Sequence, residues 1–371
     1  MYPLSAAIMN RTLSSDDSRF LAYSRGMAIL VIVFGHVGGF WFLPPYSEFL
    51  YVFVPVFFFL SGAVSYFSYL RSKTTAEYLR KRLIGLLVPY YLLCILSLTV
   101  YVGVRATLPA LSLGKVVSWL SIRPTGDITG FPMSQVWFLH TLFVISGISP
   151  AYFWLYHRKP WFLLSLMFLS IALSGIQIVT RIDNYFFLAG NNLYTPIVHS
   201  FFYILGFAYF SSSSLRSKRL LCAAVLFCLI LGIGILILWR LDADYTYHTH
   251  PPDLYYVAGS LAAIGGWLIS KETLLGMCKK LPLVARVLSF TYRYTFPIYL
   301  LHTFSIYLCE ELFGLVEPQG HYVRYGIIKL TLVLIVTCVL SIPFGALSTS
   351  LTRLCITFCA RFRLGRSRTS R

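Results

Sequence analysis

Arg25 and His36 sit in a run that otherwise suits lipid: Tyr23-Ser24-Arg25-Gly26-Met27-Ala28-Ile29-Leu30-Val31-Ile32-Val33-Phe34-Gly35-His36. Ionisable side chains at membrane depth are costly and default to a functional reading. At about 100° per residue, their spacing is close to three whole helical turns. Both side chains then leave one face, about 16 Å apart along the axis. A cation near one mouth and an imidazole deep in the span would form a polar track, one end holding an anion and the other handling a proton. The plainer reading is that Arg25 snorkels to the interface and His36 is a satisfied histidine of a bundle. The pair alone does not decide between them.

Other residues carry chemistry by type. Arg80-Lys81-Arg82 leads straight into the apolar run that ends Leu87-Val88-Pro89-Tyr90. Three fixed cations suit a polyanion, because they replace the water a phosphate gives up; a topology signal produces the same cluster without a ligand. Trp137 opens Trp137-Phe138-Leu139-His140 at the head of another span, where an aromatic-belt role is the simple alternative. Tyr299 and His302 stand three residues apart in a later span. They could orient a substrate or another side chain, or be two satisfied polar groups. The segment 241–253 holds Asp242, Asp244, Asp253, His248 and His250, which invites a metal reading. A solvated loop with tyrosines at the lipid interface is favoured instead, and no metal is expected. Glu310 and Glu311 are expected to be solvated at the end of the ninth span. The sequence has no G-x-S-x-G elbow, H-E-x-x-H pair or Walker loop.

These residues must be positioned by membrane helices. The chain has 371 residues, of which 57% are hydrophobic and only 12% charged, well below the charge of a soluble domain. Ten apolar stretches are long enough to span a bilayer: about 20–42, 49–70, 84–104, 136–156, 160–180, 194–212, 220–240, 254–270, 288–309 and 325–349. The first does not read as a cleaved signal, since it is long and follows Asp16 and Asp17. Pro55, inside the second span, is expected to free a backbone carbonyl that neighbouring helices must satisfy, and Ser61-Gly62 to allow close helix approach there.

The net charge is +18. With the N-terminus in the cytoplasm and the spans alternating, most of the basic residues fall on the inner side. They include Arg80 to Arg82, Lys279, Lys280, Arg286 and the arginine-rich tail. That is the positive-inside pattern, with both termini cytoplasmic and affinity for anionic headgroups; it argues against nucleic acid. The fold expected is an all-α integral membrane protein, a bundle of about ten transmembrane helices. Residues 1–19 form a cytoplasmic segment, 20–350 the membrane domain and 351–371 a basic cytoplasmic tail, disordered from Arg361. The long external loop at about 105–135 is expected to lie on the membrane surface or fold back over the bundle.

Read in order, four stretches resemble the membrane-bound acyltransferase-3 family of bacterial O-acyltransferases. They are Arg25 followed by Gly35-His36; Val54-Pro55-Val56-Phe57-Phe58-Phe59-Leu60-Ser61-Gly62; Arg82 leading to Leu87-Val88-Pro89-Tyr90; and Ile298-Tyr299-Leu300-Leu301-His302. Trp137-Phe138-Leu139 and Phe202-Tyr203-Ile204-Leu205-Gly206 fit weaker family patterns. One departure stands out: Gly85 occupies a position where relatives often carry a second arginine, so Arg80 or Lys81 would have to compensate. No fused esterase-like domain is expected, so the acceptor is expected to be handled by the membrane domain alone or with a partner.

The resemblance implies transfer of an acyl group, acetyl before succinyl, from cytoplasmic acyl-CoA to a hydroxyl of a glycan or lipid-linked saccharide, in the bacterial inner membrane. In that reading the coenzyme A phosphates meet Arg25, Arg80, Lys81 and Arg82. His36 is the general base, or forms an acyl-enzyme, with Arg25 beside it. Tyr299, His302 and Trp137 shape the substrate site. No permanently bound cofactor is implied; acetyl-CoA is a co-substrate. The rival reading is an exporter or flippase of a polysaccharide or lipid-linked saccharide.

Overall fold

The computed structural model describes residues 13–37, 46–105, 113–122, 136–188, 191–212, 215, 217–315 and 323–368. Pro124, Gly126, Asp127, Gly130 and Pro132 of the expected external loop lie outside the described residues, as do Arg11, Arg123, Arg216 and Arg371. The elements are almost all helical. In chain order they are α1 (Ser15–His36), α2 (Phe53–Leu70), α3 (Thr75–Arg105), α4 (Leu113–Leu120), α5 (Val136–Arg158), α6 (Pro160–Thr180) and α7 (Tyr194–Ser211). There follow α8 (Lys218–Trp239), α9 (Leu254–Ile269), α10 (Lys271–Lys280), α11 (Pro282–Arg293), α12 (Thr295–Phe313) and α13 (Val323–Arg368). Short 3-10 turns precede α2 (Tyr46–Val52) and α9 (Tyr245–His248), and one at Ile182–Tyr185 follows α6. Two-residue strands Phe187–Leu188 and Asn191–Asn192 pair antiparallel before α7.

Seven of the described helical segments are long and apolar enough to cross a membrane. Their surface bears this out. Trp161, Phe168, Leu226, Phe227, Ile237 and Leu238 on α6 and α8 are all well exposed. Water would not tolerate such bands on a monomer; lipid tails do. The protein is therefore an all-α, multi-pass membrane protein. Each of the other three expected stretches also contains a helix, α7, α9 and α12.

Several boundaries differ from the sequence expectation. α1 starts at Ser15, because the Ser14 hydroxyl caps it by accepting from the Asp17 amide at 3.0 Å. It ends at His36, just before the helix-breaking pair Gly38-Gly39 in the sequence. The ninth expected span breaks at Arg293–Tyr294 into α11 and α12. Pro55 falls in the first turn of α2, where its missing N–H costs no bond within the helix, so it does not free a carbonyl inside the span as expected. The helical backbone of α13 continues to Arg368, through the stretch expected to be disordered.

The chain divides into two compact units. The first comprises residues 1–71, 148–293 and 321–326. Its core is the crossing of α2 on α7, where each helix contributes a glycine. A Cβ on Gly62 would strike the Tyr203 carbonyl, and one on Gly206 would strike the Phe59 carbonyl. The two backbones touch because neither carries a side chain there, and Ser61-Gly62 plays the part expected of it. α9 packs on α8, and α11 packs on α1. Gly26 permits the second contact: a Cβ there would meet Thr291 Oγ1 at 2.6 Å and run into the Leu288 carbonyl. At the start of α1, the buried Asp17 carboxylate accepts from Lys271 Nζ of α10 at 2.5 Å.

The second unit comprises residues 72–147, 294–320 and 327–371. α12 packs on α3. α4, from the long connection, folds back on α3: the Tyr90 and Tyr91 hydroxyls donate to the Trp119 and Leu120 carbonyls at 3.0 and 2.9 Å. Glu310 is not simply solvated as expected. It accepts from Lys329 Nζ at 2.8 Å, and that lysine is only 2% exposed. A lysine buried in apolar surroundings needs such a partner.

Candidate active site

Arg25 lies near the middle of α1 and His36 is its last helical residue. The helix begins and ends earlier than its apolar pattern suggested. Both stay on one face, and both are half-buried. Around Arg25, the first unit gathers aromatic and hydroxyl groups. Its guanidinium carbon stands 5.7 Å from the centre of the Tyr292 ring on α11, within cation–π range. Trp267 of α9 donates from its indole to the Ser24 hydroxyl at 2.8 Å. α11 also carries Arg286 and Arg293.

His36 donates from Nδ1 to the Ile32 carbonyl at 2.9 Å. A carbonyl can only accept, so this bond fixes the proton on Nδ1 and leaves the lone pair of the neutral ring on Nε2. Tyr51, from the turn before α2, meets the ring edge-on at 6.2 Å. A Cβ on Gly35 would meet no atom of the described residues within 4 Å.

Two further histidines reach this end of the first unit. His199 of α7 is fully buried. It donates from Nδ1 to the Thr195 carbonyl at 2.8 Å, and its Nε2 faces the Tyr256 hydroxyl at 3.4 Å. His250 lies in the 241–253 segment and interacts electrostatically with both His36 and His199. Crowding by protein atoms, and then the neighbouring His36 ring, push its pKa down to about 4. Sequence reasoning had set His250 only within a possible metal set. Its position in an acidic loop far along the chain gave no sign that it would meet His36.

The 241–253 segment is more than a plain solvated loop. Among the described residues, no group of three or more His, Cys, Asp or Glu is placed to hold a metal ion. His248 donates from Nδ1 to Asp253 at 2.5 Å and from Nε2 to the Asp242 carbonyl at 2.9 Å. Two donations require the charged ring. Burial opposes that charge, but the Asp253 bond and carboxylate, with help from Asp242, outweigh it and raise the pKa above its ordinary value. Tyr245, expected at the lipid interface, is fully buried and donates to the Tyr256 carbonyl.

The remaining candidates belong to the second unit. Lys81 is exposed and paired with Glu77 at 2.6 Å. Arg82 donates from Nε to the Ser146 hydroxyl of α5 at 3.3 Å. Arg80 Nε is buried with no hydrogen-bond partner among the described residues. Of the two cations expected to compensate for Gly85, Lys81 is the one held in an ion pair. Gly85 itself borders open space. Tyr299, His302 and Trp137 are brought into one aromatic chain: Phe138 lies 5.1 Å from Tyr299 and 6.2 Å from Trp137, and Tyr299 lies 6.0 Å from His302. His302 is fully buried and donates from Nδ1 to the Tyr299 carbonyl at 2.6 Å.

No curated protein and no solved structure gives a match to this chain. A family model described as an acyltransferase domain does match, over residues 19–349, nearly the whole of it. With its membrane helices and its histidine at the end of α1, the chain belongs to the acyltransferase-3 family and is a membrane acyltransferase.

Proposed function

We propose that the protein transfers an acyl group, acetyl in the first instance, from a cytoplasmic acyl-CoA to a hydroxyl of a cell-envelope glycan or lipid-linked saccharide. The membrane would be the bacterial inner membrane. The observation that carries this reading is the tautomer of His36. Its Nδ1 proton is engaged by Ile32, so the lone pair of the neutral ring lies on Nε2, the nitrogen a general base uses.

In the reaction, His36 Nε2 takes the proton of the acceptor hydroxyl as that oxygen attacks the thioester carbonyl carbon. The carbon–sulfur bond breaks, the ester forms, and His36 returns the proton to the departing thiolate. An imidazole suits both steps near neutral pH. Arg25 supplies positive charge on the same face of α1 for the anionic donor. Arg82 keeps a part in holding donor phosphates on the strength of the family signature, with Arg80 or Lys81 compensating for Gly85. Tyr299, His302 and Trp137 form a second tier that shapes the acceptor or donor path.

The test is transfer of label from radiolabelled acetyl-CoA to envelope glycan by the protein in membranes. General-base help contributes about 10²–10⁴ in rate, so His36→Ala should fall by that factor while inserting normally. Full activity in a well-inserted His36→Ala variant refutes the mechanism. Glycan movement across the membrane without covalent label would favour an exporter.

A further inference from the structure

α11 presents three faces. The inner one is Leu288 and Thr291, buried against α1 where Gly26 admits them. Leu283 and Val287 lie about 100–140° round the helix from Leu288 on one side, at about 100° per residue. They are 72% and 44% exposed. Arg286, Ser289 and Arg293 lie about 100–160° round on the other side, and all three are exposed. The helix thus carries an apolar flank and a basic flank next to each other, both turned away from α1.

α11 has 12 residues, too few to cross a hydrocarbon core, which takes about 20. A helix with one flank for acyl chains and one for headgroups lies along the membrane surface. Its seat is fixed: α10, just before it, is tied to the start of α1 by Lys271 on Asp17, and α11 itself rests on Gly26. Charge selects the lipid. From Thr273 to Arg293 the chain has Lys279, Lys280, Arg286 and Arg293 and no Asp or Glu. Both lysines are exposed. The Lys271 and Glu272 side chains before that stretch are paired, with Asp17 and Lys218. The positive-inside rule accounts for the cations; it does not ask for an exposed leucine and valine on the adjoining flank.

We propose that α11 is an interfacial helix that docks on an anionic leaflet, with Leu283 and Val287 among the acyl chains and Arg286 and Arg293 on the phosphates of acidic phospholipids. The same helix makes the Gly26 contact and sets the Tyr292 ring beside Arg25, so the lipid steadies the wall next to that arginine. The proposal stands apart from the acyltransfer reading, and its test reads no activity.

The full chain is placed in nanodiscs of phosphatidylcholine alone or mixed with phosphatidylglycerol, and hydrogen exchange is followed in 282–293. Each cation at an anionic surface contributes about a fivefold factor in binding, and the helix must lift from the leaflet to open. Phosphatidylglycerol should therefore slow exchange in 282–293 about twentyfold, from two such factors. Arg286→Gln should remove about fivefold of that, and high salt most of it. Leu283→Glu puts a carboxylate on the acyl-chain flank and should quicken exchange in both bilayers; the position is exposed, so no core contact is lost. Lys159→Gln, which removes an exposed cation between α5 and α6, should change nothing in α11. Equal exchange of the wild type in the two bilayers overturns the proposal, and is the result expected if a second copy of the chain covers the flank. Acetyl-CoA that protects α11 in pure phosphatidylcholine as well as phosphatidylglycerol does also overturns it, and assigns the arginines to the donor. A loss in Lys159→Gln equal to that in Arg286→Gln reduces the effect to general surface charge and overturns it too.

Discussion

Gly26→Ala is the sharpest test of how packing sets up the site. Its Cβ would enter the Leu288 carbonyl and stand 2.6 Å from Thr291 Oγ1. A carbon–oxygen contact needs roughly 3.2–3.4 Å, so α1 and α11 must part by about 0.8 Å or twist aside. Overpacking of this kind costs about 1–3 kcal/mol. The neighbouring residue is Arg25, already 5.7 Å from the Tyr292 ring centre. Cation–π attraction fades beyond about 6 Å, so the same separation releases the guanidinium. A displacement near 1 Å at a reacting group can cost up to about 10²-fold in rate. The variant should therefore melt a few degrees lower in detergent and lose about ten- to a hundredfold in kcat/KM for acetyl-CoA. Thermal unfolding and steady-state transfer on the same sample would measure both. A Gly26→Ala protein with the wild-type melting point and donor kinetics would refute the close approach and its link to Arg25.

The α2–α7 crossing predicts that Gly206→Ala destabilises by about 1–3 kcal/mol, read as a lower melting temperature, because the new methyl meets backbone and not a movable side chain. Gly85→Arg should be accommodated without loss of stability, since the site borders open space. If cations of α3 hold the donor, it should lower the KM for acetyl-CoA; an unchanged KM would remove this stretch from the donor site. The His248 clasp gives a pH dependence with a definite sign. Its folded pKa is raised, so its contribution is complete below about pH 6.5 and is lost as pH rises through the folded value. Hydrogen exchange at 245–253 should quicken on that rise, and Asp253→Asn should abolish the effect.

Much was legible in the sequence because a bilayer is a severe solvent. The apolar stretches had to be helices, since backbone polar groups have no water to bond within lipid. Arg25 and His36 had to share a face once that helix existed, as 3.6-residue periodicity admits no other outcome. Gly62 announced a close crossing, although only the fold named its partner, the Tyr203–Gly206 stretch.

What the sequence could not give was depth and company. The hydropathy of residues 20–42 put His36 far inside a span; the Ser14 cap and the end at Val37 moved it to the last turn of α1. The polar composition of 241–253 suggested solvated loop or metal ligands. Which of its groups pair with one another depends on α7, α9 and the turn before α2, elements remote in the chain that dock on one another and leave His248 for Asp253 and the Pro252 carbonyl for Tyr194. Local pattern fixes which face of a helix is apolar, because that is decided within one turn. Which loop docks beside which helix is decided by contacts such as Phe49 on Tyr245, between residues remote in the chain, and only the packed chain brings those together.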